Sequence, residues 1–229
     1  MKRHLETPLY LVGGGVITLI AAYFYRKEIA QATVKYTDEI ANKIFTTKTG
    51  YKKIDAILDK LQKASAESGI PLGLMIGWIA KESGGRIGDL TKLDERGYFQ
   101  LHPDESKALG LDHQRLSTDP DYSIAGGVAL IKKYMGRVDG LGVAPKGSEY
   151  YWKVVKLFHT MGSGAAAKIV KMASAAGAVS SWESLEKYAL DNETELFRIV
   201  KHSPTKWFPL VDKVYATGKD FGFETRGAA

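Results

Sequence analysis

The chain has 229 residues, 45% of them apolar, enough for one substantial domain with a short appendage and too apolar for disorder. Thirty-two Lys and Arg against 26 Asp and Glu leave a formal charge of +6, a balance that attracts nucleic acid, anionic lipid or a cell-wall polyanion without choosing among them. With no cysteine, the chain has no disulfide, no Cys-ligated zinc and no thiol nucleophile.

Residues 1–7 form a short polar tail, and residues 8–25, PLYLVGGGVITLIAAYFY, carry no charge. At 1.5 Å per residue this run reaches roughly 27 Å, just under a hydrocarbon core of about 30 Å. Tyr10, Tyr23, Phe24 and Tyr25 stand where the two interfaces would be, and charged residues flank both ends. The expectation is an uncleaved N-terminal transmembrane anchor. A cleaved signal peptide fits less well, because the small-residue stretch Ala30 to Ala32 lies beyond a charged cluster. A buried soluble helix is disfavoured by three consecutive glycines. Residues 26–50 read as a polar, loosely amphipathic stalk, and the folded domain is expected over residues 51–229.

From Tyr51 onward the apolar periodicity is helical. Ile54, Ile57, Leu58, Leu61 and Ala64 form one stripe that stops at Gly69, and Pro71 suits the first position of a second helix on which Leu74, Trp78 and Glu82 fall four apart. Asp119 before Pro120 starts a third helix with the stripe Ile124, Val128, Ile131 and Met135. The stretches beginning at Ser148, Gly164, Ser180 and Trp207 continue the pattern, with Ser180 and Glu183 spaced as a capping box. The predicted class is all-α, with at most a small β-like excursion between Ile87 and Leu101.

Within this framework Glu82 ends a largely apolar helix, one turn after Trp78 and just before Ser83, Gly84 and Gly85. Burial against Trp78 and the negative end of the helix dipole both disfavour a charged carboxylate, so a raised pKa and a general-acid role are expected. The glycines suit a helix stop with positive φ and leave space for a bulky substrate. For an isolated glutamate, a solvated residue on a frayed helix end is the plain alternative.

The strip GYFQLHP, Gly97 to Pro103, lifts the functional reading. Glu-Ser-Gly at the end of an apolar helix, followed some fifteen residues later by Gly-aromatic-aromatic-Gln and a proline, resembles the soluble lytic transglycosylases, peptidoglycan-cleaving enzymes with a lysozyme-like fold. The resemblance continues at Asp119, Pro120, Ile124 and Gly127, and at Gly162 and Gly164, with a weaker echo in Leu210 to Val214. It spans roughly residues 55–165. It implies that Glu82 protonates the glycosidic oxygen between N-acetylmuramic acid and N-acetylglucosamine, then acts as base while the muramoyl 6-hydroxyl closes a 1,6-anhydro ring. It further implies that Ser83 hydrogen-bonds at the site and that Tyr98 and Gln100 line the groove.

The sequence departs from that family at Ser123, where asparagine is usual, and at His159 and Thr160, which replace a Tyr-Asn pair. His159 is then either a replacement sugar contact or a satisfied structural group. Two other functions stay open. In an inverting hydrolase of the goose-type lysozyme kind, Asp89, Asp94 or Glu95 would activate a water. In a wall-binding or assembly protein, the groove would persist without turnover. No nucleotide-binding glycine pattern is present, the five histidines lack ligand spacing, and basic residues are scattered. Neither a cofactor, a metal nor nucleic acid is expected. The expected partners are peptidoglycan glycan strands and, through residues 8–25, a membrane, either a bacterial envelope or the membrane of a virion.

Overall fold

The computed structural model describes residues 48–88 and 91–222. The chain divides into two units, residues 1–47 and the unit that begins at Lys48. The expected anchor at residues 8–25 and all but the last residues of the stalk lie outside the described residues. No helix among the described residues is long and apolar enough to cross a membrane.

The described part is all-α. Helices α1 (Lys52–Asp55), α2 (Leu58–Ser68) and α3 (Leu72–Glu82) replace the two helices read from the sequence. The break comes at Ala56 and Ile57, although the apolar stripe runs through it, and Gly69 ends α2 in the left-handed conformation. Pro71 proves to be the residue just before the first turn of α3 rather than inside it. Then follow α4 (Pro103–Ala108), α5 (Pro120–Asp139), α6 (Glu149–Thr160) and α7 (Ser163–Ala175). The C-terminal part holds α8 (Trp182–Asp191), α9 (Glu193–Val200) and α10 (Pro204–Gly218). The stretch from Ser180 to Val200 is thus two helices instead of one, and its N-terminal cap is Ser181, whose side chain accepts from the Ser184 amide. The β-like excursion is real but minimal, a single antiparallel bridge between Arg96 and Leu101.

Helix α3 is the centre of the packing. It is apolar on every side, with Leu72 through Ile79 all buried, as a helix enclosed by others must be. On one side α10 crosses it so closely at Gly77 that an added Cβ would lie 2.1 Å from the Val214 carbonyl oxygen. That contact gives the Leu210 to Val214 stretch its role. Helix α6 reaches α3 through Lys156 and His159, which lie on Trp78, and turns Tyr151 and Phe158 toward α5, where the Tyr151 hydroxyl donates to Asp139 and Phe158 packs near Tyr134. Lys153 ties α6 to its neighbours: its ammonium meets Glu149 at 2.9 Å and Asp212 of α10 at 3.0 Å and sits above the rings of Trp182 and Tyr215.

Candidate active site

Glu82 is the last residue of α3, and the helix ends because Ser83 and the left-handed Gly84 and Gly85 follow it. The amides of Ser83 and Gly84 both return to the Ile79 carbonyl. Ser83, 1% exposed, donates its hydroxyl hydrogen to the Tyr98 carbonyl oxygen at 2.8 Å. That bond fastens the Glu82 end of α3 to a tight hairpin, in which Arg96 and Leu101 exchange both backbone hydrogen bonds around the four-residue loop Gly97 to Gln100.

The hairpin is fixed from the other side by α5. The Tyr98 amide donates to Ser123 Oγ at 2.9 Å. Phe99 lies on Gly127, where an added Cβ would come within 2.1 Å of the ring, and packs edge-on against Trp78. Ser123 therefore has a polar task of its own, and Gly127 is required by a close approach.

The second wall comes from α6. Lys156 and His159, three residues apart, lie on one face of that helix and point at Glu82. Lys156 Nζ stands 2.5 Å from Glu82 Oε1 and 4.3 Å from the centre of the Trp78 ring. His159 lies between two carboxylates, with Nε2 3.4 Å from Glu82 Oε1 and Nδ1 3.6 Å from Glu105 Oε1. Its ring also stacks, tilted, on Trp78 at 4.9 Å. Glu105, in the first turn of α4, is held by the Tyr134 hydroxyl of α5 and by the His102 amide. Of the four ionisable side chains in this chain of contacts, Lys156 is 3% exposed and Glu82, at 26%, is the most open to solvent.

This environment reverses the expected ionisation of Glu82. Burial does push its pKa up, as anticipated, but the Lys156 ammonium and the His159 ring outweigh burial and hold the carboxyl far below the usual glutamate range. Trp78, expected to bury Glu82, instead cradles the cation that keeps Glu82 charged. Glu105 follows the same logic, with burial overcome by His159, Tyr134 and the His102 amide, and falls to about 2. Burial lowers Lys156, against the pull of Glu82. For His159, burial and Lys156 work against the imidazolium, yet Glu105 and Glu82 raise its pKa above the ordinary histidine value. The Tyr134 phenol is pushed up by burial and by Glu105. The resting site is a buried set of compensating charges.

The other expected site residues take mixed positions. Tyr98 is 4% exposed, and its phenol lies in the fields of Lys60 and Asp121, which line a groove of about 410 Å³ between α2 and α5. Gln100, 2% exposed and at φ +50°, folds its side-chain amide back to donate to the Gly97 carbonyl at 2.8 Å, closing the hairpin turn. Thr160 donates to the Lys156 carbonyl one turn earlier. Gly85 does not clear room for a substrate: an added Cβ would meet Ile54 and Lys53 of α1 at 3.0 Å, so it is a packing glycine. At Gly84 an added Cβ would meet only the Arg86 side chain.

Asp89 lies outside the described residues. Asp94 pairs with Arg96 at 2.8 Å and lies 3.5 Å from His113. Glu95 accepts from the Thr91 hydroxyl and is near enough to Lys156 to favour its charge.

Lys156, Glu105 and Tyr134 escaped the sequence reading. Lys156 left a signal, a lysine three residues before His159 on a helix whose other neighbours are apolar. Glu105 left a fainter one, since its capping box uses His102 in place of the serine, threonine or aspartate that the pattern looks for. No group of His, Asp and Glu among the described residues is arranged to hold a metal ion. No protein-family model matches the chain, and no curated protein matches it.

Proposed function

We propose that the chain cleaves the glycan strands of peptidoglycan as a lytic transglycosylase on a lysozyme-like framework, with Glu82 as acid and then base. The observation that supports this most is the construction of the Glu82 end of α3. A partly open carboxylate terminates a buried helix, and the following serine fastens that terminus to a Gly-aromatic-aromatic-Gln hairpin. Those are the residues that carry the family resemblance, joined by a hydrogen bond that spacing alone does not dictate.

Glu82 rests as a carboxylate, so the acid step needs a change in balance. A sugar chain laid over the site removes the water that still reaches Glu82, and desolvation favours neutral pairs over separated charges. Glu82 then takes a proton from within the cluster and gives it to the glycosidic oxygen. The resulting carboxylate accepts the hydrogen of the muramoyl 6-hydroxyl as that oxygen closes the anhydro ring. The reaction consumes no water and leaves the proton count of the site unchanged. An anchor at residues 8–25 would keep this domain beside the wall that it cuts, in an envelope or in the membrane of a virion.

The test is mass spectrometry of muropeptides released from purified sacculi by the full chain and by Glu82→Gln. The expected result is anhydro-muramic ends with the wild type and a rate lower by about 10²–10⁴-fold in the variant, the usual worth of a positioned acid or base. Equal rates would remove Glu82 from the reaction. A wall-binding protein without turnover is the second reading, and the Glu82–Lys156 ion pair is the observation that favours it. Release of nothing by either chain, with retention on sacculi, would select it.

A further inference from the structure

His159 occupies an unusual position: a buried imidazole with a carboxylate facing each nitrogen, neither in a short hydrogen bond. Nε2 is 3.4 Å from Glu82 Oε1, and Nδ1, 3.6 Å from Glu105 Oε1, is a buried nitrogen without a hydrogen-bond partner. A shift of a few tenths of an ångström toward one carboxylate makes a normal hydrogen bond there and lengthens the other contact. Glu105 cannot follow, because Tyr134 and the His102 amide hold its two oxygens. His159, with neither nitrogen in a short hydrogen bond, is the less tightly fixed member of that pair.

We propose that His159 is the proton store of the site, giving its Nε2 proton to Glu82 when substrate covers the carboxylate and recovering it when product leaves. The proposal rests on the reading of Glu82 as acid and base. At rest the imidazolium donates toward both carboxylates. On transfer the Nε2–H bond breaks, its electron pair stays on Nε2, and an O–H bond forms at Glu82 Oε1. The Nδ1–H remains and donates to Glu105, which keeps the neutral ring in the tautomer whose Nε2 accepts from the new Glu82 hydroxyl. After the 6-hydroxyl has returned a proton to Glu82, the reverse transfer restores the imidazolium.

The groups that face His159 each have a part in this cycle. Glu82 and Trp78 come from α3, Glu105 from α4, Tyr134 from α5, and Lys156 lies one turn back on α6. Burial loosens the Lys156 proton, yet Glu82 and the face of Trp78 close in its ammonium and both favour its charge, which makes it the poorer store beside an imidazole. Its charge repels the imidazolium and so helps expel the Nε2 proton. His159 is in this account a positioning and proton-holding residue, and the sugar is touched by Glu82.

Two measurements on the full chain test it. In nitrogen-15 NMR of imidazole-labelled wild type, His159 is expected to be doubly protonated at pH 7, and a neutral ring there would overturn the proposal. In sacculus digestion, His159→Gln is expected to lower kcat at least tenfold with KM changed less than twofold. Its residual kcat should rise about tenfold per unit fall in pH, because Glu82 must then take its proton from solution. A variant with the wild-type pH profile and kcat would overturn the store while leaving the lyase reading intact. Failure of the wild type itself to release anhydro ends would overturn both, whatever the NMR shows.

Discussion

Removing the cation that holds Glu82 charged is the most direct perturbation of this site. Lys156→Met keeps most of the buried stem while deleting the ammonium that lies 2.5 Å from Glu82 Oε1 and over the Trp78 ring. Taking one partner from a buried pair costs about 3–5 kcal/mol, because the other charge is left without compensation. The 26% exposure of Glu82 lets water share that burden, so the low end, about 3 kcal/mol, is expected. For a unit of this size that corresponds to a fall in Tm of about 6–12 °C.

The pH dependence has a definite sign. The folded pKa of Glu82 lies below its ordinary value of 4.5, so its stabilising contribution is fully present above 4.5 and is lost as pH falls through the folded value. Lys156→Met removes most of that contribution, so the gap between wild type and variant is widest at neutral pH and narrows below 4.5. Urea unfolding of the full chain in mild detergent, followed by tryptophan fluorescence at pH 7 and at an acidic pH, measures both quantities. Adding Glu82→Gln to Lys156→Met leaves neither charge buried and is expected to restore most of the loss. A single variant as stable as wild type at pH 7, or a deficit that grows in acid, would refute the account of Glu82 ionisation given by this pair.

Two further predictions concern the walls of the site. Gly127→Ala places a methyl 2.1 Å from the Phe99 ring, an overpacking that costs about 1–3 kcal/mol or more and displaces the hairpin. Its signature is a lowered urea midpoint together with reduced glycan cleavage. Ser83→Ala deletes the bond to the buried Tyr98 carbonyl and leaves that oxygen unpaired, for a loss of about 1–3 kcal/mol. Faster amide hydrogen exchange at Arg96 and Leu101, the residues of the bridge, is the expected reading, and unchanged exchange would separate Ser83 from the hairpin.

What could be read in the sequence was local. The helix stop after Glu82 follows from Ser-Gly-Gly, and the start of α5 follows from Asp119, whose side chain accepts from the Tyr122 amide. The small β excursion was expected where the Arg96 to Leu101 bridge lies. Two of the misjudged features depend on partners distant in sequence. Glu82 was read beside Trp78 alone, whereas the group that decides its charge lies 74 residues away on α6. Gly85 was read as clearance for a ligand because nothing in the sequence shows α1 returning to pack on it. The apolar stripe of α1 and α2 concealed a break, since Ile54 and Leu58 both reach the core even though the helix between them is interrupted. Periodicity reports which side is buried, not whether the hydrogen-bond ladder is continuous.

For the glycan cleavage proposed here, the choice between an internal hydroxyl and a water as second nucleophile turns on which carboxylates are already engaged. An inverting hydrolase needs a carboxylate about 6.5–9.5 Å from the acid with lone pairs left to activate water. Glu105 gives one oxygen to Tyr134 and the other to the His102 amide and faces His159, so it has little capacity left for a water. Asp94 is turned to Arg96 and His113. Glu95 has one oxygen tied to Thr91, yet it is near enough to act on Lys156, and among the described carboxylates it is the one on which a hydrolytic route would have to rest. Anhydro-ring closure makes no such demand. It needs one carboxylate that can be protonated and deprotonated in turn, and Glu82 stands next to an imidazole placed to supply that proton. The charge network that holds Glu82 ionised at rest is thus better suited to a reaction that returns its proton in every cycle than to one that must also deprotonate water.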